Sequence, residues 1–250
     1  MSTIVVATLN LFNRMGRWEA RAPLVVDQFV DLAPNAIGLQ EIDLMLDQGS
    51  WLLRQVNERL AGRSQYEVKH AASPGFLAAY HGIATMARLE YVEHEVLDLM
   101  SFGRTAQRSV LSIDGRKFVF VNTHLHHPPE ASQERLREGR YLLEWLDRHD
   151  PRLATVVVGD FNAYPGEPVL EVMKTRFRSA YEVVRKREPD KTWPTPVNTH
   201  DPSPPGALDY IFVSPEFGVE DAGLTFDRPS PDDPNLFPSD HLGVYARLAW

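Results

Sequence analysis

The stretch VVVGDFNAYP, residues 156–165, is the part of the sequence that says most about the fold. A run of β-branched residues that ends in glycine and turn residues predicts a buried central strand. Because successive residues of a strand face opposite sides, Asp160 and Asn162 should point the same way while Phe161 turns into the packing. One carboxylate and one amide would then converge at the end of this strand. Such a pair could bind a cation, or position and deprotonate a water molecule.

Composition limits the class of protein. The 250 residues, 43% hydrophobic and 24% charged, are typical of a globular protein and fit one domain, residues 1–250. The absence of cysteine excludes disulfides, thiolate nucleophiles and cysteine-based zinc sites, so oxygen or imidazole must hold any metal. A net charge of −8 argues against tight non-specific binding of long nucleic acids. No leader or transmembrane segment is evident, which predicts a cytoplasmic location, and the oligomeric state is not indicated.

Strand signals dominate the chain. The Asp114-Gly115 pair between two strand-like runs predicts a hairpin, which excludes a simple doubly wound parallel sheet. Two packed mixed β-sheets flanked by helices are expected instead, an α/β (α+β) fold. The predicted strands are residues 4–11, 36–41, 66–71, 82–87, 91–97, 108–113, 117–124, 154–159, 207–213 and 244–248, and the predicted helices are residues 18–32, 51–60, 133–148 and 168–175.

Acids, amides and imidazoles occur at several of these apolar strands. In a layered fold such strand ends can gather around one crevice. Carboxylates, amides and histidines without cysteine favour metal-assisted hydrolysis, most of all at phosphorus. The residues are Asn10, Gln40 with Glu41, Asn122 with His124, Asp160 with Asn162, Asp209, and Asp240 with His241.

Each of these residues also has an ordinary explanation. Taken alone, Asn10 could cap a turn, Glu41 could begin a solvated helix, and His124 could be a solvated loop residue. Arg88 could be an ordinary surface cation. Asp209 differs, because a carboxylate inside an apolar strand is costly unless it is paired. It therefore requires a partner.

Seven stretches together resemble the endonuclease/exonuclease/phosphatase superfamily, metal-dependent phosphoesterases that include deoxyribonuclease I, exonuclease III, sphingomyelinases and inositol polyphosphate phosphatases. They stand in the family's order from residue 8 to residue 244, as TLNLFN, LQEID, GIATMAR, NTHLHH, GDFNAYP, LDYIFV and SDHLGV. The resemblance implies a four-layer α/β/β/α sandwich of two packed mixed sheets flanked by helices, with the site at the top of the sheets.

The same resemblance implies a metal site and a water site. Glu41 would be the principal metal ligand, with Asn10 beside it and Asp240 close enough to assist. Such hard oxygen ligands favour Mg²⁺, with Mn²⁺ as the other possibility. Asp160 and Asn162 would position and activate the attacking water.

Histidines and phosphate contacts complete the implied site. His241, oriented by Asp209, would stabilise the charge on the phosphate, and Asp209 would thereby gain its partner. His124 would donate a hydrogen bond to the phosphate or protonate the leaving oxygen. Asn122 and Arg88 would bind the phosphate.

The sequence departs from the family pattern at several positions. His124 stands where the abasic-site endonuclease branch commonly has tyrosine, which disfavours a dedicated DNA-repair enzyme. Pro205-Gly206-Ala207 replaces a basic residue that often precedes the LDY motif. Extra imidazoles could bind a second metal, although separate solvated histidines are the expected interpretation. They are His81, His126, His127 and His200.

The expected substrate is a phosphoester, with nucleic acid or a small diester favoured. A phosphomonoesterase acting on a sugar, inositol or lipid phosphate is the alternative within the same chemistry, and a noncatalytic binding protein that retains the fold is the alternative outside it. The loops expected to select the substrate are residues 13–21, 126–133, 185–206 and 228–238. In the first, Arg14, Arg17, Trp18 and Arg21 could grip a nucleotide, or form a solvated face.

Overall fold

The computed structural model describes residues 3–62, 65–75, 80–198 and 200–250, so the predicted domain 1–250 includes a few positions outside them. Within these ranges no helix has the length and apolar character needed to cross a bilayer. The strands are β1 (Thr3–Asn10), β2 (Ala36–Ile42), β3 (Glu67–Ala72), β4 (Gly82–Ala87), β5 (Glu90–Asp98), β6 (Thr105–Ile113), β7 (Arg116–His124), β8 (Thr155–Asp160), β9 (Arg178–Ser179), β10 (Asp209–Val213), β11 (Gly218–Thr225) and β12 (Gly243–Ala249). The helices are α1 (Trp18–Leu32), α2 (Gln48–Leu60), α3 (Ser132–Leu146), α4 (Pro168–Lys174) and α5 (Ala180–Arg185).

Two six-stranded mixed sheets pack face to face, with helices on their outer faces. The first sheet has the order β11-β12-β1-β2-β4-β3, and the second has the order β5-β6-β7-β8-β10-β9. Helices α1 and α2 share an apolar cluster with the first sheet, and α3 and α4 share one with the second. A third cluster fills the space between the sheets. The predicted four-layer α/β/β/α sandwich is therefore confirmed.

The strand β8 shows how the alternating pattern works in this fold. Val156 and Val158 pack between the two sheets, whereas Val157 and the fully buried Phe161 pack against the helices of the outer layer. Asp160 has the parity of Val156 and Val158, so it continues the inner face. At the end of the strand, the apolar filling between the sheets gives way to polar groups.

The predicted hairpin is present, and three elements were not predicted. Asp114 and Gly115, with φ of 52° and 77°, form the turn between β6 and β7, as expected for a two-residue turn with positive φ. The unpredicted elements are β9, α5 and β11. The sequence of β11, GVEDAGLT, contains two glycines and two acids, which have low strand propensity. Its place at the edge of the first sheet is set by pairing with β12.

Candidate active site

The strand register brings most of the candidate residues to one edge of the sandwich. In the second sheet His124 pairs with Asp160, and Asp160 pairs with Asp209 on the other side. In the first sheet Asn10 pairs with Gln40. All five residues continue the inner faces of their strands. The two sheets therefore direct these side chains toward each other at the point where the apolar core ends.

Asp160 lies at the centre of this arrangement. Its Oδ2 accepts a hydrogen bond of 3.0 Å from the Asn10 amide and lies 3.6 Å from His124 Nε2 and 3.8 Å from His241 Nε2. Its Oδ1 accepts the backbone N–H of Asn162 at 2.9 Å. The residue is only 1% exposed. Burial raises the pKa of Asp160 to about 7, and the charge of Asp209 adds to this effect.

His241 and Asp209 form a buried pair. The Nδ1 of His241 lies 2.8 Å from Asp209 Oδ2. Burial lowers the pKa of His241, but Asp209, Asp240 and Asp160 together raise it well above 6.5, so the ring is a cation. Ligand atoms of Asp160, Asp209 and His241 lie within 4.8 Å of one another, close enough to hold a metal. A protonated imidazole has no lone pair to offer, so this group is better explained as an ion-paired cluster.

His124 differs from His241 in charge. Its Nε2 is buried without a hydrogen-bond partner among the described residues, 4.0 Å from Glu41 Oε1. Burial, and next the positive charge of Arg104, hold the pKa of His124 well below 6.5, so the ring is neutral. One histidine of the site is therefore a cation and the other a neutral group with an unused nitrogen.

Glu41 and Asp240 are the best candidates to hold a divalent cation. Burial, and next the charge of Asp240, raise the pKa of Glu41. Asp240 is held in place by the Trp193 indole N–H at 3.3 Å and the Asn198 amide at 3.1 Å. Two carboxylates that raise each other's energy in one cleft fit a hard cation such as Mg²⁺ or Mn²⁺, which would relieve the repulsion.

Asn10 has a different orientation from the one expected of a metal ligand. Its Oδ1 accepts the Phe12 backbone N–H at 2.9 Å, and its Nδ2 donates to Glu41 Oε1 at 3.1 Å and to Asp160 Oδ2 at 3.0 Å. Because an N–H needs an acceptor, the Phe12 contact fixes which end of the amide faces the cleft. Asn10 therefore holds the two carboxylates side by side as a donor, rather than offering oxygen to a metal.

Asn122 lies beneath the site and not in it. The side chain is 0% exposed, accepts from Gln40 Nε2 at 2.7 Å, and donates to the carbonyls of Ala84 at 2.9 Å and Leu39 at 3.2 Å. These bonds join the two sheets. Asn122 has the same parity as His124 but sits two residues deeper, which corrects the prediction that it binds phosphate.

Replacing Asn122 by leucine, which is of similar size, should destabilise the protein. The buried carbonyls of Ala84 and Leu39 would lose their donor, and the free energy of unfolding should fall by about 1–3 kcal/mol. Urea unfolding measures the change, with Asn235→Leu in an exposed loop as the control. Equal stability of the two variants would mean that the Asn122 bonds contribute nothing net.

Arg88 lies at the opposite end of the first sheet. It follows β4, whose other end, Gly82, pairs with Ile42 near the site, and its backbone N–H donates to the Asn35 carbonyl. Since β4 runs antiparallel to β2, the strand carries its last residue away from the cleft. The prediction that Arg88 binds phosphate is therefore wrong.

Two of the predicted substrate loops are partly structural. Arg21 is 0% exposed, and its guanidinium donates to the carbonyls of Leu11 at 3.1 Å and Pro238 at 2.7 Å. Trp18 is buried as well. In the loop predicted at residues 185–206, of which residue 199 lies outside the described ranges, Thr192 is buried and its hydroxyl accepts the backbone N–H groups of Leu208 and Asp209. These residues shape the site rather than contact a substrate.

The cleft has two parts that meet at Glu41. The first, about 430 Å³, is lined by His81, Phe102, Arg104, His124, His126 and His127. The second, about 180 Å³, is lined by Asp160, Asn162, Tyr164, Trp193, Asp240 and His241. His200 is exposed. Sequence reasoning missed Arg104, although it comes just before β6, whose first residues pair with the end of β7.

Comparison with known proteins agrees with this geometry. The sequence pattern that describes the endonuclease/exonuclease/phosphatase family matches residues 7–241. The chain belongs to this family. It is 25% identical to Nocturnin of Xenopus laevis over 91% of its own length and 64% of that protein.

Solved structures of family members share the architecture. A mannosyl-6-phosphatase of Bacteroides thetaiotaomicron superposes with a TM-score of 0.78 at 22% identity, covering 99% of this chain and 100% of that one. D. rerio TDP2, complexed with a single-strand DNA product, gives 0.78 at 19% identity and covers 100% of both chains. At these identities the likeness concerns the fold alone. The chain spans 37% to 64% of the length of the curated relatives it matches.

Proposed function

We propose that this protein is a divalent-metal-dependent phosphodiesterase that hydrolyses its substrate by in-line attack of water. Mg²⁺ is the proposed metal, with Mn²⁺ as a substitute, and the substrate is nucleic acid or a small diester. The observation that carries the proposal is the meeting of Asn10, His124 and His241 around one carboxylate oxygen of Asp160, beside Glu41. Membership of the family supports the same chemistry.

The charge and position of each site residue suggest its role in the reaction. Asp160, whose pKa lies near neutrality, takes the proton of the attacking water, which the Asn162 side chain orients. The cationic His241, fixed by Asp209, neutralises charge that develops on the phosphoryl oxygens. His124 faces the leaving oxygen. A cation at Glu41 and Asp240 would supply Lewis-acid polarisation of the phosphate.

A phosphomonoesterase is the second candidate. The superposition on a mannosyl-6-phosphatase supports it, and a cleft of about 430 Å³ has room for a sugar phosphate. A noncatalytic binding protein would have no use for a buried carboxylate with this set of donors, so it ranks third.

Purified protein should hydrolyse bis(p-nitrophenyl) phosphate with Mg²⁺ or Mn²⁺ and lose this activity in a chelator. Glu41→Gln should raise the Mg²⁺ concentration for half-maximal rate by at least about 10-fold, since one of two candidate carboxylate ligands is lost. Release of p-nitrophenol measures both effects. p-Nitrophenyl phosphate and a supercoiled plasmid serve as the competing substrates.

The pattern across these substrates decides between the candidates. Plasmid nicking with metal would specify a nuclease, and diester cleavage without nicking a small-molecule diesterase. Hydrolysis of the monoester alone would favour the phosphatase. Full activity in chelator, or an unchanged Mg²⁺ requirement in Glu41→Gln, would contradict the metal site.

A further inference from the structure

The first part of the cleft contains an arginine, Arg104, that forms no salt bridge among the described residues. Arg104 is half-buried, and its Nε has no hydrogen-bond partner among the described residues. No carboxylate within those residues lies within salt-bridge distance of it, although Glu41, Asp160 and Glu138 lie near enough to interact by charge. Arg104 Nη2 contacts His127 Nδ1 at 3.0 Å. Arg104 lines the cleft, so a guanidinium without a salt bridge can offer its terminal N–H groups to a ligand there.

Imidazoles surround this guanidinium. His81, His126 and His127 line the same part of the cleft, and the Nδ1 of His126 is buried without a partner. Burial, and next the charge of Arg104, lower the pKa of His126 to about 4 and lower that of His127. Neutral imidazoles that can donate an N–H, beside a guanidinium that forms no salt bridge, are features of an anion site.

The position of this cluster relative to the water site places it on the leaving-group side of the reacting phosphate. Asp160 and Asn162, which orient the water in the proposed function, line the second part of the cleft. Arg104, His124 and His126 line the first part, and His127 lines both. In an in-line reaction the leaving group departs on the side opposite to the water. The cluster therefore lies where the leaving group goes.

We infer that Arg104, with His81, His126 and His127, binds a second phosphate carried by the leaving group. This inference rests on the proposed function and narrows it: the preferred substrate has a phosphate on the leaving fragment as well as at the scissile bond. The exposed ring of Phe102, 68% exposed and stacked on His126 at 4.0 Å, adds an aromatic face beside the subsite. A nucleotide is therefore a suitable probe.

Three dinucleotides test the inference. They are TpT and its two derivatives with one added terminal phosphate, pTpT and TpTp, which are isomers of each other. Product analysis of TpT shows which nucleoside leaves. The isomer with its phosphate on that nucleoside should have a kcat/KM about 10- to 100-fold above TpT, as expected for charge-assisted hydrogen bonds to a phosphate. The other isomer, which has the same net charge, should resemble TpT.

Arg104→Gln should abolish the preference between the isomers, and Arg104→Lys should retain part of it. Arg88→Gln, a neutralised arginine at the far end of the sheet, should keep the full preference. Melting temperatures identify any misfolded variant. If Arg104→Gln does not fold, the preference of Arg104→Lys between the isomers tests the inference instead. A further outcome is that the protein hydrolyses bis(p-nitrophenyl) phosphate but none of the dinucleotides. In that case the inhibition constants of the three dinucleotides against this hydrolysis give the same comparison.

Equal treatment of the two isomers by the unmodified protein would overturn the subsite and leave the phosphodiesterase standing. A preference that survives in Arg104→Gln would do the same. No metal-dependent turnover of any phosphoester would overturn the proposed function itself, and this inference with it.

Discussion

Asp160→Asn is expected to lower kcat/KM by about 10³-fold or more, because the amide can no longer accept the proton of the attacking water. The fold should survive. Ionised Asp160 costs the folded state free energy above pH 7, since burial raises the pKa of this acid to about 7. A neutral amide removes that cost, but it has one acceptor oxygen where the carboxylate accepts from both Asn10 and Asn162, so the melting temperature at pH 8 should change little.

The matched control is Asp232→Asn, an exposed acid in the loop of residues 228–238. It should keep full activity and the same melting temperature. If Asp160 accepts the proton of the attacking water, Asp160→Asn should lower kcat/KM without lowering the melting temperature in parallel. An active Asp160→Asn enzyme would remove Asp160 from the mechanism, and a loss of activity that parallels unfolding would make it a structural residue.

Gly159→Ala is expected to cost more than about 3 kcal/mol of stability, and the protein should unfold at much lower urea concentration. Gly159 has φ of 152°, a conformation that side chains disfavour, and a Cβ at this position would lie 2.0 Å from the Thr123 carbonyl oxygen. That carbonyl belongs to the backbone of β7, the neighbouring strand, and cannot move without breaking the register that joins His124 to Asp160.

Gly166→Ala separates the cost of the positive φ from the cost of the contact with the Thr123 carbonyl oxygen. Gly166 also has positive φ, 91°, but nothing lies within 4 Å of its Cβ position. Its cost should be limited to backbone strain, about 1 kcal/mol. Similar urea midpoints for the two alanine variants would show that the contact with Thr123 is not the reason for glycine at position 159.

Much of the site was predictable because a simple rule governs it. Polar residues at either end of an apolar strand keep the parity of that strand, so Asp160 and His124 at the ends of β8 and β7, and Asp209 at the start of β10, emerge on the inner face. The buried Asp209 required a partner, and His241 lies against it. The roles proposed for these residues in catalysis stay predictions until activity is measured.

What the sequence did not predict depends on strand direction and on distant partners. Arg88 follows a strand as His124 does, but β4 runs the other way, and no local pattern gives that direction. Asn122 accepts a hydrogen bond from Gln40, which lies in the other sheet. Arg104 was missed because the predicted strand began at residue 108, whereas β6 begins at Thr105, directly after Arg104.

The position of β12 makes the candidate site depend on the last part of the chain. This last strand pairs with β1 on one side and β11 on the other, so the first sheet is not continuous until residues 243–249 are in place. Asn10 and His241 approach the same oxygen of Asp160 from the two ends of the chain. Contacts of such long sequence separation form late and slowly. A chain in which β12 is not yet paired would have most of the sandwich, but His241 would not be held against Asp160 and Asp209.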